Sequence, residues 1–292
     1  MHHEPVMLNE VLELIKNFPH SKILDGTLGL GGYSEAMLEA FPECRVLGLD
    51  RDSQAIDLAC ERLKVFGERF SALQKNFGSL GDVPDVNSFD VYVFDLGVSN
   101  MQITTPERGF SFQSDGPLDM RMNPDDESSM TAREALQQLD ERTLAKIFWD
   151  YGEERFSRQI AAAIKRYRKP LETTSDLVSL IRDTLPQPVQ RKMGTHPARR
   201  IFQALRIFVN DEAGELEALM SALGEFSHEA LMIFVSYHSL EDRLVKKTFR
   251  EWHSDGLGKI LTRRPVTPSD DEIARNYKAR SGKLRAFFTT RH

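Results

Sequence analysis

Asp25 stands directly before a glycine-rich run, Gly26-Thr27-Leu28-Gly29-Leu30-Gly31-Gly32. Glycines at such a place let the chain turn sharply and bring its amides close to a bound group. The spacing is not that of a dinucleotide site. Counted from Gly29, the G-x-G-x-x-G fingerprint has Gly29 and Gly31, then Ser34 where the third glycine belongs. A second acid, Asp50, lies 19 residues after Gly31, where a ribose-binding carboxylate is expected. Asp25 is an extra acid. It would repel a pyrophosphate and favour an ammonium or sulfonium group. A third acid, Asp95, closes Val93-Phe94-Asp95 and is followed by Leu96-Gly97-Val98-Ser99. Any one of these acids alone could cap a loop. Three at strand ends make a ligand site the better reading, and the extra acid Asp25 points toward S-adenosylmethionine over a nicotinamide cofactor.

The elements that must position these acids follow from periodicity. Lys22–Asp25, Arg45–Asp50, Phe70–Gln74 and Phe89–Leu96 read as strands, and Glu229–Tyr237 as a fifth. Met7–Asn17, Glu35–Phe41 with Ser34 as N-cap, and Ser53–Val65 read as helices between them. Strands alternating with helices imply right-handed βαβ units and a parallel sheet. In such sheets ligands bind outside the carboxyl ends of the strands, where Asp25, Asp50 and Asp95 fall. From 100 to 130 the chain is loop-like, and helical patterns follow over 131–150, 153–168 and 175–184. This predicts a helical insertion. A long helix over Ala198–Leu223 leads to the fifth strand, Leu240–Trp252 is helical, and Leu284–Thr290 has the composition to close the sheet.

The 292-residue chain has the apolar and charged content of a soluble protein with a core, and no apolar run approaches membrane-spanning length. The N-terminal residues show no targeting pattern, and Cys44 and Cys60 form no CxxC pair. A reducing cytoplasm is the expected compartment, with no metal site and no membrane partner. Residues 1–150 carry 13 Lys and Arg against 26 Asp and Glu, net −13; residues 151–292 carry 25 against 18, net +7. The positive half can steer a polyanion although the whole chain is acidic. Its cations fall at helical spacing: Arg155 and Arg158; Arg199, Arg200 and Arg206; Arg243, Lys246, Lys247 and Arg250. Arg275, Lys278, Arg280, Lys283 and Arg285 form a cluster near the C-terminus.

The chain resembles the RsmH (MraW) family of bacterial 16S ribosomal RNA (cytosine-N4) methyltransferases nearly end to end. The blocks that carry the resemblance are His3-Glu4-Pro5-Val6-Met7-Leu8, Asp25–Ser34, Gly48–Asp52, Asp95–Ser99, Glu107–Met122, Tyr151–Arg155, His196–Arg206, His238–Arg243 and Ala279–Arg285. The Glu-Arg-Gly-Phe-Ser-Phe…Asp-Gly-Pro-Leu-Asp-Met-Arg-Met and His-Ser-Leu-Glu-Asp-Arg blocks are the specific ones. The resemblance implies an α/β, Rossmann-like class I methyltransferase. It would have a mostly parallel seven-stranded sheet over 1–108 and 197–292, and a helical insertion over 109–196 for RNA recognition. It implies transfer from S-adenosylmethionine to the exocyclic amine of a cytosine in the decoding region of 16S rRNA, with S-adenosylhomocysteine as product. The substrate would be rRNA within an assembled small subunit, and a homodimer is compatible with the family.

Family cofactor contacts carry over to Gly31, Gly32, Tyr33, Asp50, Phe77, Asp95 and Gln102, with Asp25 and Gly29 added from the residues themselves. Tyr33 replaces the usual His, Tyr237 a Phe, and Asn276-Tyr277-Lys278 the usual Asn-Pro-Arg. Asp50 is assigned to the ribose hydroxyls, and Phe77 and Tyr33 to packing on adenine or ribose. Asp95 is the first catalytic candidate, Asp119 the second, and His238, near Glu241, the third. Phe110, Phe112 or Tyr237 would supply base stacking. The arginines Arg155, Arg158, Arg199, Arg200, Arg206, Arg243, Arg280 and Arg285 are the RNA-binding candidates. Competing readings are a silent rRNA-binding assembly factor and a methyltransferase with another nucleic-acid acceptor.

Overall fold

The computed structural model describes residues 5–290, so His3 and Glu4 of the first block lie outside the described residues. In chain order the elements are α1 (Leu8–Lys16), β1 (Lys22–Asp25), α2 (Gly32–Ala40), β2 (Arg45–Asp50), α3 (Ser53–Leu63), β3 (Phe70–Gln74) and β4 (Val91–Asp95). Seven helices follow without a strand: α4 (Asn100–Thr104), α5 (Ala132–Gln138), α6 (Glu141–Asp150), α7 (Ser157–Arg166), α8 (Thr174–Thr184), α9 (Gln187–Lys192) and α10 (Arg199–Val209). The chain then gives α11 (Glu212–Gly224), β5 (Ala230–Ser236), α12 (Ser239–Ser254), β6 (Gly258–Ile260), α13 (Asp270–Arg275) and β7 (Lys283–Thr289).

The chain divides into two compact units, 1–97 with 213–292, and 98–212. The helical unit therefore starts earlier and ends later than the 109–196 span read from sequence. Val98 and α10 pack into its core, which is why their segments belong to it. The expected single helix over 198–223 is two helices. It breaks at Asn210–Asp211, where Asp211 adopts φ +47° and the Asn210 side chain holds the backbone of Met120 and Met122.

In the first unit the sheet order is β3-β2-β1-β4-β5-β7-β6. The first five strands are parallel, and β7 runs antiparallel between β5 and β6. This is the mostly parallel, seven-stranded α/β sheet that the resemblance implies. The strand expected to close the sheet is internal, and the edge is the three-residue β6, too short to be legible. Strands such as Ala230–Ser236 are buried throughout, because helices cover both faces and each strand can be apolar at every position. Leu24, Phe94, Phe234 and Phe287 face α11 and α12 residues Leu219, Phe249 and Trp252 on one side. Ile23, Val93, Ile233 and Ala286 face Val11, Ile15 and Met37 on the other.

The Glu107–Met122 block is scaffolding for the helical unit. The Arg108 guanidinium donates to the carbonyls of Arg121 and Met122 at 3.1 and 2.8 Å. Gly116 exchanges hydrogen bonds with Thr174, and a Cβ there would stand 1.9 Å from the Pro106 carbonyl oxygen. Backbone on backbone cannot yield as a side chain can. Gly116→Ala is expected to lose about 1–3 kcal/mol of stability, as overpacked sites do, seen as a lower denaturant midpoint. An unchanged midpoint would show that the two loop limbs separate freely.

Candidate active site

The carboxyl ends of β1, β2, β4 and β5 form one rim, and the crevice between β1 and β4 is the point where the strand order reverses. The glycine loop after β1 stitches these ends together. Thr27 donates its amide to Asp25 Oδ1 (3.3 Å), and its hydroxyl oxygen accepts from the Asp95 amide (2.6 Å). The Gly29 amide donates to Asp50 Oδ2 (2.7 Å), and the Asp52 amide to Asp50 Oδ1 (2.9 Å). Gly31 starts α2 at φ +79°, where a Cβ would meet Leu63 Cδ1 at 2.9 Å; conformation and space both demand glycine.

Ser34 does not cap α2, as sequence suggested. It lies inside the first turn and donates its hydroxyl to Asp25 Oδ2 at 2.7 Å. Asp25 is fully buried, and burial pushes its carboxyl up to about 6, against the hydrogen bonds from Ser34 and Thr27. Burial also raises Asp50. Asp95 is pushed up to about 7, by burial first, with the Tyr237 hydroxyl acting the other way. That hydroxyl donates to Asp95 Oδ1 at 2.6 Å. The sequence reading gave Tyr237 only a stacking role; its bond to Asp95 needed the β4–β5 register, which places Val235 beside Asp95. Thr27 was likewise missed, although a hydroxyl within the glycine run was the available signal.

Several predicted residues are engaged elsewhere. The Tyr33 ring is 4% exposed, packed in the core beneath the sheet, and its hydroxyl donates to the Val6 carbonyl. A ring so placed does not offer a face to adenine. His238 is the N-cap of α12: its Nδ1 accepts from the Glu241 amide (3.4 Å), while the Glu241 carboxylate accepts from the Tyr237 and His238 amides (2.9 and 3.3 Å). That capping box is structural work. Asp119, in the helical unit, is held by Arg121 at 2.9 and 2.8 Å. Its burial alone would raise its carboxyl, but Arg121 holds it below the ordinary range, which makes it a weak base. Gln102, also in that unit, closes a capping box with Ser99. Phe77 remains half-buried at the end of the β3 connection, edge-on to Phe94 at 6.5 Å. Phe110 is core, and Phe112 stacks on His196 at 4.7 Å.

Among the arginines, Arg155, Arg158, Arg199 and Arg243 are exposed. Arg200 donates to the Glu153 carbonyl (2.9 Å), and Arg206 grips Glu212 with two bonds (2.7 and 2.8 Å). Arg285 is 5% exposed and donates to Asp242 at 2.7 Å, so it anchors β7 to α12 and is not placed to meet a phosphate.

The model of the MraW methylase family matches residues 1–290. The chain belongs to the MraW methylase family. Its relatives include proteins named ribosomal RNA small subunit methyltransferase H. That of Picosynechococcus is 44% identical, covering 97% of this chain and 95% of its own. That of Heliobacterium mobile is 42% identical, covering 97% of each. That of Geobacter sulfurreducens is 44% identical, again covering 97% of each.

The rim fits the cofactor of this methylase family on chemical grounds. Asp25, Asp50 and Asp95 have hydroxyls and backbone amides as hydrogen-bond partners, and no cation among the described residues pairs with them. Asp25 is buried and Asp50 and Asp95 are half-buried, and carboxylates so withdrawn from water without a counter-ion are costly unless a cation arrives. S-adenosylmethionine carries an ammonium and a sulfonium. No helix among the described residues is long and apolar enough to cross a membrane.

Proposed function

We propose that this rRNA methyltransferase methylates the N4 amine of a cytosine in the decoding region of 16S rRNA. In this reading its substrate is the assembled small subunit in the cytoplasm, and residues 98–212 take part in recognising the RNA. The observation that carries the reading is Asp95 at the rim, tied through the glycine loop to the two other acids.

When bound, S-adenosylmethionine supplies an electrophilic methyl group. Asp50 would take the ribose hydroxyls; its oxygens already accept the Gly29 and Asp52 amides, which fix its orientation and leave lone pairs for the sugar. Asp25 would lie toward the ammonium, its carboxylate oriented by the Thr27 amide and the Ser34 hydroxyl. Asp95 faces the chemical difficulty. The amino lone pair of cytosine is delocalised into the ring, and a hydrogen bond from that amine to a carboxylate localises it. Asp95 then takes the proton as the N–methyl bond forms. A carboxyl poised at about 7 is suited to do so at neutral pH. Tyr237 donates to Oδ1, which leaves Oδ2 for the amine. Positioning of the base contributes several kcal/mol more.

The test is transfer of labelled methyl groups to small subunits lacking decoding-region methylation, read by nucleoside mass spectrometry. N4-methylcytidine is the expected product. A different methylated nucleoside would refute the position, and no transfer despite cofactor binding would leave an rRNA-binding factor.

A further inference from the structure

We propose that Tyr277 and Arg280 form a stacking platform for a nucleobase of single-stranded RNA beside the active-site rim. The inference rests on the reading of the chain as an rRNA methyltransferase and adds where the strand is gripped. Tyr277 opens the short 3₁₀ turn Tyr277–Ser281 and is 71% exposed. The Arg280 guanidinium lies 5.7 Å from its ring centroid and donates to the Tyr277 hydroxyl at 2.9 Å. Arg280 thus covers part of the ring and fixes it, while most of the ring surface meets solvent. A tyrosine so exposed buries little apolar area for the fold. An aromatic plane backed by a guanidinium is the arrangement on which bases stack and beside which a phosphate is neutralised.

The surroundings favour a polyanion. Between 275 and 285 there are five cations, Arg275, Lys278, Arg280, Lys283 and Arg285, and no acid. Lys283 and Arg285 are drawn inward to Asp242, at 3.3 and 2.7 Å. Of the three acids in the first turn of α13, Glu272 is buried and accepts from the Met7 amide at 2.6 Å, while Asp270 and Asp271 are exposed at the end of that helix away from Tyr277 in sequence.

The topology sets the turn at the correct end of the sheet. Because β7 runs antiparallel, it begins where β5 ends: Lys283 pairs with Ser236 and Leu284 with Val235. Val235 in turn lies beside Asp95, and the residue after Ser236 is Tyr237. On its other flank the turn reaches Gly282, whose added Cβ would meet Val6 Cγ1 at 3.1 Å. The Val6 carbonyl accepts from Tyr33, at the start of α2. The platform therefore adjoins the same rim as the three acids.

The experiment uses the full chain, with a fluorescent single-stranded pyrimidine oligoribonucleotide followed by anisotropy at fixed salt, and with methylation kinetics on small subunits. Tyr277→Ala is expected to weaken RNA binding about fivefold or more and to raise KM for the subunit, the effect of losing one stacked base. Tyr277→Trp, which keeps the plane, should stay within about twofold of the parent, and Arg280→Ala should weaken binding and flatten its salt dependence. Cofactor affinity should be unchanged in all three. Tyr277→Ala binding RNA like the parent, or Tyr277→Trp failing as badly as Tyr277→Ala, would overturn the platform while leaving methyl transfer by the parent intact. A parent that neither binds RNA nor methylates it would overturn the underlying function as well.

Discussion

Asp95→Asn is expected to lower the rate of methyl transfer by about 10²–10⁴-fold, the range that a positioned general base contributes. The side chain keeps its size, and the Tyr237 hydroxyl can still donate to the amide oxygen. What is lost is the capacity to take a proton. The pH dependence carries the same argument with its sign fixed. Asp95 must be ionised to accept from the amine, and its carboxyl sits at about 7. For the free enzyme, kcat/KM should therefore fall as pH drops below about 7. The Tyr237 hydrogen bond favours the ionised form, so Tyr237→Phe should raise the carboxyl further. The acidic limb then moves to higher pH by roughly one unit, with the alkaline plateau recovered. Were Tyr237 only a packing residue, the plateau would drop and the limb would stay in place. Asp95→Asn protein with activity within a few-fold of the parent would remove Asp95 from the reaction.

The parts of this site that sequence made legible are those set by strand ends. An acid at the close of an apolar run, followed by glycine, is a local pattern, and Asp25, Asp50 and Asp95 fall on one rim because parallel strands align their carboxyl ends. The order of strands along the first hundred residues was legible for the same reason. What was not legible depends on register or on tertiary contact. Tyr237 meets Asp95 only through the β4–β5 pairing, and Ser34 turned from cap to Asp25 partner because Gly31 already supplies the left-handed residue that begins α2. The break at Asp211 is set by Asn210 reaching 88 and 90 positions back along the chain. Arg285 looked like a phosphate ligand in a basic cluster, yet it is an interior residue of β7 turned onto Asp242. A list of cations cannot separate a buried anchor from a solvent-facing grip; Tyr277 and Arg280, in the same cluster, show the contrast.

The ligand-free protein is expected to become more stable as pH falls from about 8 toward 5, opposite to the behaviour of a chain held by surface ion pairs. Asp25 sits at about 6 and Asp95 at about 7, against an ordinary 3.8. Between those values the folded state holds protons that the unfolded chain has released. Stability therefore declines as pH rises through 3.8 to about 7, and it stays depressed above. At about 1.4 kcal/mol per unit, the fully buried Asp25 costs the fold on the order of 3 kcal/mol at neutral pH, and the half-buried Asp95 adds to this in the same direction. The two repel each other, so their costs are not independent. This is the energetic counterpart of cofactor binding: a cation at the rim relieves the burden that the acids impose. Asp25→Asn should thus raise the ligand-free Tm at pH 8 by several degrees while weakening S-adenosylmethionine about ten- to a hundredfold, the loss of a charged partner worth roughly 1.5–3 kcal/mol. Thermal denaturation at pH 5.5 and 8, with and without the cofactor, reads both effects. The gain in Tm should shrink at pH 5.5, where the parent's Asp25 is already largely protonated. A variant that melts lower at pH 8 would make Asp25 a structural acceptor for Ser34 and Thr27, stabilising the loop instead of straining it.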